Sequence, residues 1–357
     1  MNLAQLQSAL NKEFQEPMRD LIVRSRPLLS AMPKRSMATD RIWLRNQNAS
    51  THNPRAIADG SVVTVGTPGT VYGNGVLDWT TYIAEFKVSK RLLGQLVGNP
   101  ALIGQLFSNE IKNATLDLAD QIAGDLFKGE TDYSGSPGIT GLKAVMDTGN
   151  TYAGINRATV GNEYWRAGKL SASPDATNPG SLSTSLFYDA ELDYYTRTKK
   201  EVWNLNPVIF TDKAIQLMYK ELFETLDYGS LSTAHFVNQA NSGNSFGKMG
   251  VGFLGAPILP EPNIDATGDI ADTSRIYILN PASMFLASLS PNDDPEVVRM
   301  QQMDPRNAPE SDGLSIDIEI LGNQGEYVAG YVKTYVQLVC DNPRESGVVI
   351  TDVSNAF

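Results

Sequence analysis

Apolar positions recur along this chain with two periods, and the period changes from element to element. Leu3, Leu6, Leu10 and Phe14 fall three and four apart, which predicts a short amphipathic helix over 2–14, limited by Pro17. A helix of that length is marginal alone, so it must dock on its own body or on another subunit. Residues 17–42 carry Pro17, Pro27 and Pro33 with Arg24, Arg26, Lys34 and Arg35, and read as an extended arm with a basic cluster. Residues 56–90 read as a long hairpin. Val62 to Val65 form strand, Gly66, Gly69, Gly73 and Gly75 loosen the tip, and Tyr82, Ala84, Phe86 and Val88 alternate with Thr81, Ile83, Glu85 and Lys87 on the return.

The strongest element spans 100–128. Ile103, Phe107, Ile111, Ala114, Leu118, Ile122 and Leu126 recur every three or four residues, Asn99-Pro100 suits a helix start and Gly129 a stop. Such a helix is about 43 Å long at 1.5 Å per residue. Residues 130–184 are rich in Gly and Pro and mark a change of domain. Beyond them the pattern predicts helices at 186–203 and 213–227 around a buried strand, Val208-Ile209-Phe210. A polar, Gly-rich loop or loose hairpin covers 229–252. Ile258-Leu259 and Ile276 to Leu279 are strand-like, and 282–289 reads as a short helix. Strands follow at 314–321, 326–340 and 347–353, with Gly322-Asn323-Gln324-Gly325 as a turn.

Composition narrows what such a chain can do. Its 357 residues allow two or three domains, and 30 Gly and 19 Pro are an ordinary share. One cysteine, Cys340, forbids an intrachain disulfide and a Cys-rich zinc site. The two histidines, His52 and His235, lie far apart in polar, loop-like stretches without a nucleophile motif such as G-x-S-x-G, so neither reads as a catalyst. Gly73 and Gly75 lack the third glycine and the helix of a dinucleotide site, and no phosphate-binding G-x-x-x-x-G-K-[ST] string occurs. Asp293, Asp294 and Glu296 lack the calcium-loop spacing and read as a helix start after a Pro turn. Tyr188, Tyr194, Tyr195 and Trp203 read as packing rather than base-stacking residues. No apolar run approaches a membrane span and no secretion signal is recognisable, so the expectation is a protein folded in a reducing cytoplasm. Acids outnumber bases 40 to 29, a formal charge of −11 that does not suit phosphate binding over the whole surface. No metal or cofactor and no catalytic constellation is expected. An arm, a long hairpin and a long helix suit an assembly subunit, since such elements normally find neighbours.

The order of these elements resembles the major capsid proteins of tailed bacteriophages with the HK97-like fold. Gly138-Ile139-Thr140-Gly141-Leu142 after the long helix looks like the family's G-[IL]-x-G-L segment. Tyr152-Ala153-Gly154-Ile155-Asn156-Arg157, followed by Trp165-Arg166, is similar to its Tyr-x-Gly-Ile-x-Arg … Trp stretch. Asn206-Pro207-Val208-Ile209-Phe210, Gly255-Ala256-Pro257-Ile258 and Ile276-Tyr277-Ile278-Leu279-Asn280 follow in the family's order.

The resemblance implies an α+β fold with an N-terminal arm (1–42), an E-loop hairpin (43–90), a peripheral (P) domain (91–184) with its spine helix at 100–128, an α/β axial (A) domain (185–310) and returning P-domain strands (311–357). It further implies a homo-oligomer of pentamers and hexamers forming an icosahedral virion capsid around double-stranded DNA, assembled in a bacterial host's cytoplasm. No charged internal scaffold block precedes the arm, which implies a separate scaffolding protein and a portal; a decoration protein is a further partner, and no membrane is involved. Contact with DNA is expected to be weak and non-specific, so that Arg24, Arg26, Lys34 and Arg35 serve subunit contacts. Leu3, Leu6, Leu10, Phe14, Tyr82, Phe86 and Val88 are the apolar candidates for subunit interfaces. Lys87, Lys90 and Asn355 are only nominal counterparts of the Lys–Asn cross-link that some members form. Two rival readings are an encapsulin-type compartment enclosing a cargo enzyme and an acidic cytosolic hydrolase, the latter disfavoured by the shortage of His and Cys. A β-rich adhesin is disfavoured by the long helix.

Overall fold

A computed structural model describes residues 26–47, 72–95, 100–129, 138–160, 162–173, 178–224, 236–238, 249–264, 273–290, 295–311 and 313–354. In chain order the helices are α1 (Pro27–Ala31), α2 (Lys90–Gln95), α3 (Pro100–Asp125), α4 (Leu142–Val145), α5 (Thr184–Thr198), α6 (Lys213–Glu224) and α7 (Pro295–Met303). The strands are β1 (Lys34–Met37), β2 (Ile42–Gln47), β3 (Tyr72–Leu77), β4 (Thr80–Ser89), β5 (Thr151–Tyr152), β6 (Ile155–Asn156), β7 (Gly168–Ser171), β8 (Val208–Thr211), β9 (Phe236–Asn238), β10 (Met249–Phe253), β11 (Ala256–Pro260), β12 (Thr273–Leu279), β13 (Met284–Leu289), β14 (Asp317–Gln324), β15 (Tyr327–Cys340) and β16 (Gly347–Ser354).

Two sheets organise these elements. Sheet I is built on the fourteen-residue β15. Along one edge β15 pairs with β4; along the other it pairs first with β14 and then, end to end, with β13, which holds β1 in parallel. The apolar stripe of α3 packs on the inner face of this sheet, so that Ile111, Leu118, Ile122 and Leu126 share a core with Phe86, Val332, Val336 and Leu338. Sheet II runs in the order β7-β16-β12-β8-β11-β10-β9. Its strands carry apolar side chains on both faces. Ile209, Ile276, Ile278, Val348 and Ile350 belong to a core with α5 and α6, whereas their neighbours Phe210, Tyr277, Leu279 and Val349 belong to the α3 core on the other side. Continuous apolar runs are what a doubly covered sheet requires.

The end of α3 shows why one glycine is needed. The chain returns from 138 to 142 across the helix C-terminus, where the Leu142 amide donates to the Leu126 carbonyl at 2.6 Å. A Cβ on Gly141 would stand 2.4–2.7 Å from the carbonyl oxygens of Lys128, Asp125 and Leu126, closer than any side chain tolerates. The Gly141 of the Gly138–Leu142 string is thus a packing requirement.

Several expectations are corrected. Residues 26–42 are not a free arm: Leu28, Leu29 and Met37 are buried in the α3 core, and β1 is hydrogen-bonded into sheet I. Val62 to Val65 of the expected hairpin lie outside the described residues; within them β3 pairs with β2, while Tyr82 to Val88 lie in β4 and pair with β15. Residues 284–289, expected as helix in the middle domain, form a strand of sheet I. Met284-Phe285-Leu286-Ala287 is apolar without a helical period, and the strand lies between β1 and β15. The returning strand β16 runs in sheet II, between β7 and β12. Helix α5 ends at Thr198, where Lys199 takes a left-handed φ of 60°. The helix of 100–128 stops at Asp125, and that of 213–227 is described to Glu224.

Candidate assembly surfaces

The expected contact residues can be placed one by one on the described structure. Leu3, Leu6, Leu10, Phe14 and Arg24 lie outside the described residues, as do His52, His235, Asp293, Asp294 and Asn355. Arg26 is tied to the chain's own helix, its guanidinium 2.9–3.0 Å from Asp120 of α3. Lys34 is buried in β1, and burial lowers its ammonium to about 8. Arg35 donates to the carbonyls of Arg306 and Ala308, lies 5.2 Å above the Phe285 ring and faces Glu310 at 3.8 Å. Arg26 and Arg35 are engaged within the chain and Lys34 is buried in it, so the described part of the basic cluster is not a free contact patch.

Tyr82, Phe86 and Val88 are corrected in the same way. Their face of β4 looks inward, and each is at most 8% exposed. The Tyr82 hydroxyl donates to Asp125 at the end of α3 at 2.9 Å and accepts from the Ile139 amide at 3.3 Å. Asp125 also receives Lys128 at 2.8 Å and Gln121 at 3.0 Å. Alternation was the right signal, but it does not say whether the buried face meets the chain's own helix or a neighbour's.

Around that inner face lies a polar clamp at the root of the β2–β3 hairpin, which the sequence did not disclose. Gln337, 3% exposed, donates to the Asp78 carbonyl at 3.0 Å and accepts from the Thr140 amide at 3.1 Å. Trp79 Nε1 donates to the Thr39 carbonyl at 2.8 Å, and the Val76 amide to the Ala153 carbonyl at 2.9 Å. The hairpin is therefore fixed at its base to β15, to the chain after α3 and to the turn at 153.

That turn is the Tyr152–Arg157 string. Ala153 and Gly154 take positive φ of 52° and 78° between β5 and β6. The Tyr152 hydroxyl accepts from the Cys340 amide at 2.9 Å and donates to its carbonyl at 3.3 Å; burial pushes both the phenol and the Cys340 thiol up, so both stay neutral. Trp165 Nε1 donates to the Tyr152 carbonyl at 3.0 Å. Arg157 is fully buried. It donates to the carbonyls of Asn150 and Val145 at 2.7 Å and to that of Ala144, taking up the last carbonyls of α4 that no helical amide reaches. Each named residue of the string has a structural duty.

No protein-family model matches the sequence, and no curated protein does. Solved structures do. The chain is similar to the cyanophage A-1(L) capsid subunit with a TM-score of 0.61 and 17% identity, over 92% of this chain and 93% of that one. It is similar to the capsid subunit of an empty GTA particle with a TM-score of 0.54 and 12% identity, over 92% and 90%. The SrpI encapsulin of Synechococcus elongatus aligns with a TM-score of 0.51 and 11% identity, over 94% and 90%. The chain has the HK97-like capsid fold.

In the terms of that fold, α3 is the spine helix, β2 and β3 are the described base of the E-loop, and sheet II is the A-domain sheet. The surface left open follows by subtraction. On the outer face of sheet I, Ile83, Leu321 and Tyr327 are 55%, 49% and 48% exposed. They stand among Glu85, Lys87, Glu319 and Lys333, whose ammonium lies 5.3 Å from the Tyr335 ring and 6.0 Å from the Tyr331 ring. On the A domain, α5 presents Tyr188, Leu192 and Tyr195, one helical stripe on the side away from its buried Phe187, Ala190 and Tyr194. Tyr195 is thus outward, which corrects the packing reading for it; Tyr188 is half exposed yet packs its ring edge-on against the buried Phe253 at 5.3 Å, and Tyr194 and Trp203 are packed. Among the described residues no group of three or more His, Cys, Asp or Glu side chains could hold a metal ion, and no helix is long and apolar enough to cross a membrane.

Proposed function

We propose that this chain is a non-enzymatic structural subunit of an icosahedral shell, the major capsid protein of a tailed phage, which assembles as pentamers and hexamers around double-stranded DNA. The observation that carries this reading is the match to capsid subunits over at least nine tenths of both chains. The chain's own architecture supports it, since a hairpin clamped at its base and a sheet with an open outer face belong to a subunit with neighbours. The charge of −11 supports weak contact with DNA: like charges keep the polymer mobile, and screening over about 8–10 Å confines the repulsion to near contact. A scaffolding protein and a portal are the partners this reading requires, a decoration protein is optional, and the virion of a bacterial host is the location.

The likeness to the SrpI encapsulin favours one second reading, a compartment that encloses protein cargo. Electron microscopy of the purified protein, with its nucleic acid measured after nuclease treatment, tests both. Closed shells holding nuclease-resistant DNA support the capsid. Shells holding protein and no DNA support the compartment. A strictly monomeric chain at high concentration, with and without scaffold, overturns both.

A further inference from the structure

Two cavities meet at Lys169, on the edge strand of sheet II. The first, of about 140 Å³, lies between α4 with its following turn and the face of the sheet that also meets α3. Register builds its floor: Lys169 of β7, Val349 of β16 and Tyr277 of β12 stand side by side on three neighbouring strands, with Thr351 and the buried Arg275 beyond them. Lys143 and Asp147 line it from the α4 side. The second cavity, of about 460 Å³, adjoins the first at Lys169 and is bordered by Arg166, Arg197 and Arg344, with Glu163 and Asp193. Backbone carbonyls set its arginines in place. Arg166 Nε donates to the Arg157 carbonyl at 2.8 Å, Arg197 donates to the carbonyls of Arg344 at 2.7 Å and Gly347 at 3.0 Å, and Arg344 donates back to the Arg197 carbonyl. Gly168 keeps the space for this, because a Cβ there would collide with the Arg197 guanidinium and the Asp193 carboxylate.

Six cations thus face three carboxylates, in a chain whose whole charge is −11. Two of the carboxylates are engaged: Asp147 accepts from the Thr148 amide at 2.7 Å and from the Asn150 side chain, and Asp193 holds Arg197 at 3.0 Å. Burial lowers the Arg197 guanidinium from its ordinary value and Asp193 raises it, while Arg344 lowers it again by repulsion. An anion in the cleft relieves that repulsion. We propose that the double cleft binds a compact polyanion of the phosphate class, a free oligophosphate or the phosphate chain of a nucleotide. Preset guanidinium forks match phosphate oxygens two at a time, and little ordering remains to be done on binding. Two recesses joined by one lysine suit a ligand with several charged groups in a row. The smaller recess exceeds the roughly 15 Å³ that a single water needs, yet it has no length for a run of residues, which disfavours an acidic peptide. Duplex DNA is stiff over about 50 nm and cannot fold its phosphates into either recess. The cleft lies within one subunit, so the proposal stands apart from the shell reading.

Isothermal titration calorimetry of the full-length chain with sodium tripolyphosphate at low salt tests it. The expected result is saturable binding of one ligand per chain that weakens as salt is added. Lys169→Ala should weaken it by about tenfold or more, because both recesses lose their shared cation. Lys112→Ala, an equal loss of charge at an exposed position of α3, should leave it unchanged. If Lys169→Ala lowers the melting temperature, Lys169→Gln, which keeps most of the stem, should show the same loss of affinity. Adenosine triphosphate, titrated in parallel, distinguishes the sources: affinity no better than that of tripolyphosphate assigns the site to phosphates alone, and tighter binding assigns it to a nucleotide. No saturable binding of either ligand overturns the proposal. So does binding indifferent to Lys169, and so does displacement by duplex DNA or by a Glu-rich peptide at matched charge, which would assign the cleft to a macromolecule.

Discussion

Sheet I and sheet II are built from similar residues and end in opposite situations. In β4 the burial alternates: Tyr82, Phe86 and Val88 are inside, while Ile83, Glu85 and Lys87 face solvent. In β12 every residue from Thr273 to Leu279 is buried, and in β16 every residue from Gly347 to Val353. Sheet II is a partition between two cores, with Ile278 on one side and Tyr277 on the other. Where β4 and β14 flank β15, sheet I is a wall with one face left over; β13 and the last residues of β15 are buried on both faces. A doubly covered sheet has no open face, so the open surface of the A domain lies on the helices that cover it. The P domain can offer its sheet directly.

The largest effect that would break this contrast is at Phe86. Phe86→Asp buries a carboxylate against the spine helix, next to Val332 and across from Gly330. The expected outcome is loss of the cooperative fold, a cost above about 4 kcal/mol, seen as unfolding of the isolated subunit by circular dichroism. A variant that melts like wild type would mean the face is not closed within the chain. Next come Ile278→Ala and Tyr277→Ala, adjacent residues on opposite faces of β12. Each should cost about 2–5 kcal/mol in denaturant unfolding, because each opens a cavity in a different core. The two losses should add within about 0.5 kcal/mol, since the two side chains belong to different cores. A negligible cost for either one would reduce sheet II to a one-sided sheet like its counterpart.

The contrast was partly legible beforehand. Ile276 to Leu279 and Val208 to Phe210 are unbroken apolar runs, and β4 alternates; periodicity separates the two kinds of strand. The spine helix was legible for the same reason, with seven apolar positions in register. What periodicity lacks is the identity of the partner. Phe86 has the same pattern whether it meets its own α3 or another subunit's. It also says nothing of polar side chains turned inward. Gln337 is a polar letter whose burial depends on a carbonyl and an amide brought near by distant segments, and Arg157 one whose burial depends on the carbonyls of a turn that only the fold closes. β13 was misread because Met284 to Leu289 is short and apolar, and length alone does not separate a strand from a helix in such a run. The Tyr152–Arg157 string was visible only as a resemblance, and its physical content, a capped helix end and a hydroxyl bridging Cys340, needed coordinates.

Lys34 sharpens the comparison through pH. It sits in β1 at the margin of sheet I, beside β13, where burial lowers its ammonium from the usual 10.5 to about 8. At pH 7 the charge is present in both folded and unfolded chains and burial disfavours it, so Lys34→Met should be more stable than wild type. Above pH 8 the folded protein sheds this proton while the unfolded chain holds it until about 10.5. The unfolded state then binds more protons, and wild-type stability rises with pH. The advantage of the variant should shrink by about 3 kcal/mol at most between pH 8 and 10.5, in urea titrations run at each pH. A pH-independent difference would show that Lys34 reaches water and that the margin of sheet I is open.

The smallest effect belongs to the outer face, and it separates the two sides of one strand most cleanly. Ile83 lies three residues from Phe86 in β4, points the other way, and pairs with Lys333 of β15. Ile83→Asp removes a β-branched side chain, which costs a strand up to about 1 kcal/mol. It also places a carboxylate directly across from a lysine, a pair worth roughly 0.2–1 kcal/mol on a sheet surface. The two terms nearly cancel, so the subunit should unfold within about 1 kcal/mol of wild type at low salt. The compensating part should fade as added salt screens the pair. Denaturant midpoints at two ionic strengths read both quantities. If Ile83→Asp instead cost as much as Phe86→Asp in the isolated subunit, the outer face of sheet I would be covered by the chain itself, and the distinction between partition and wall would fail.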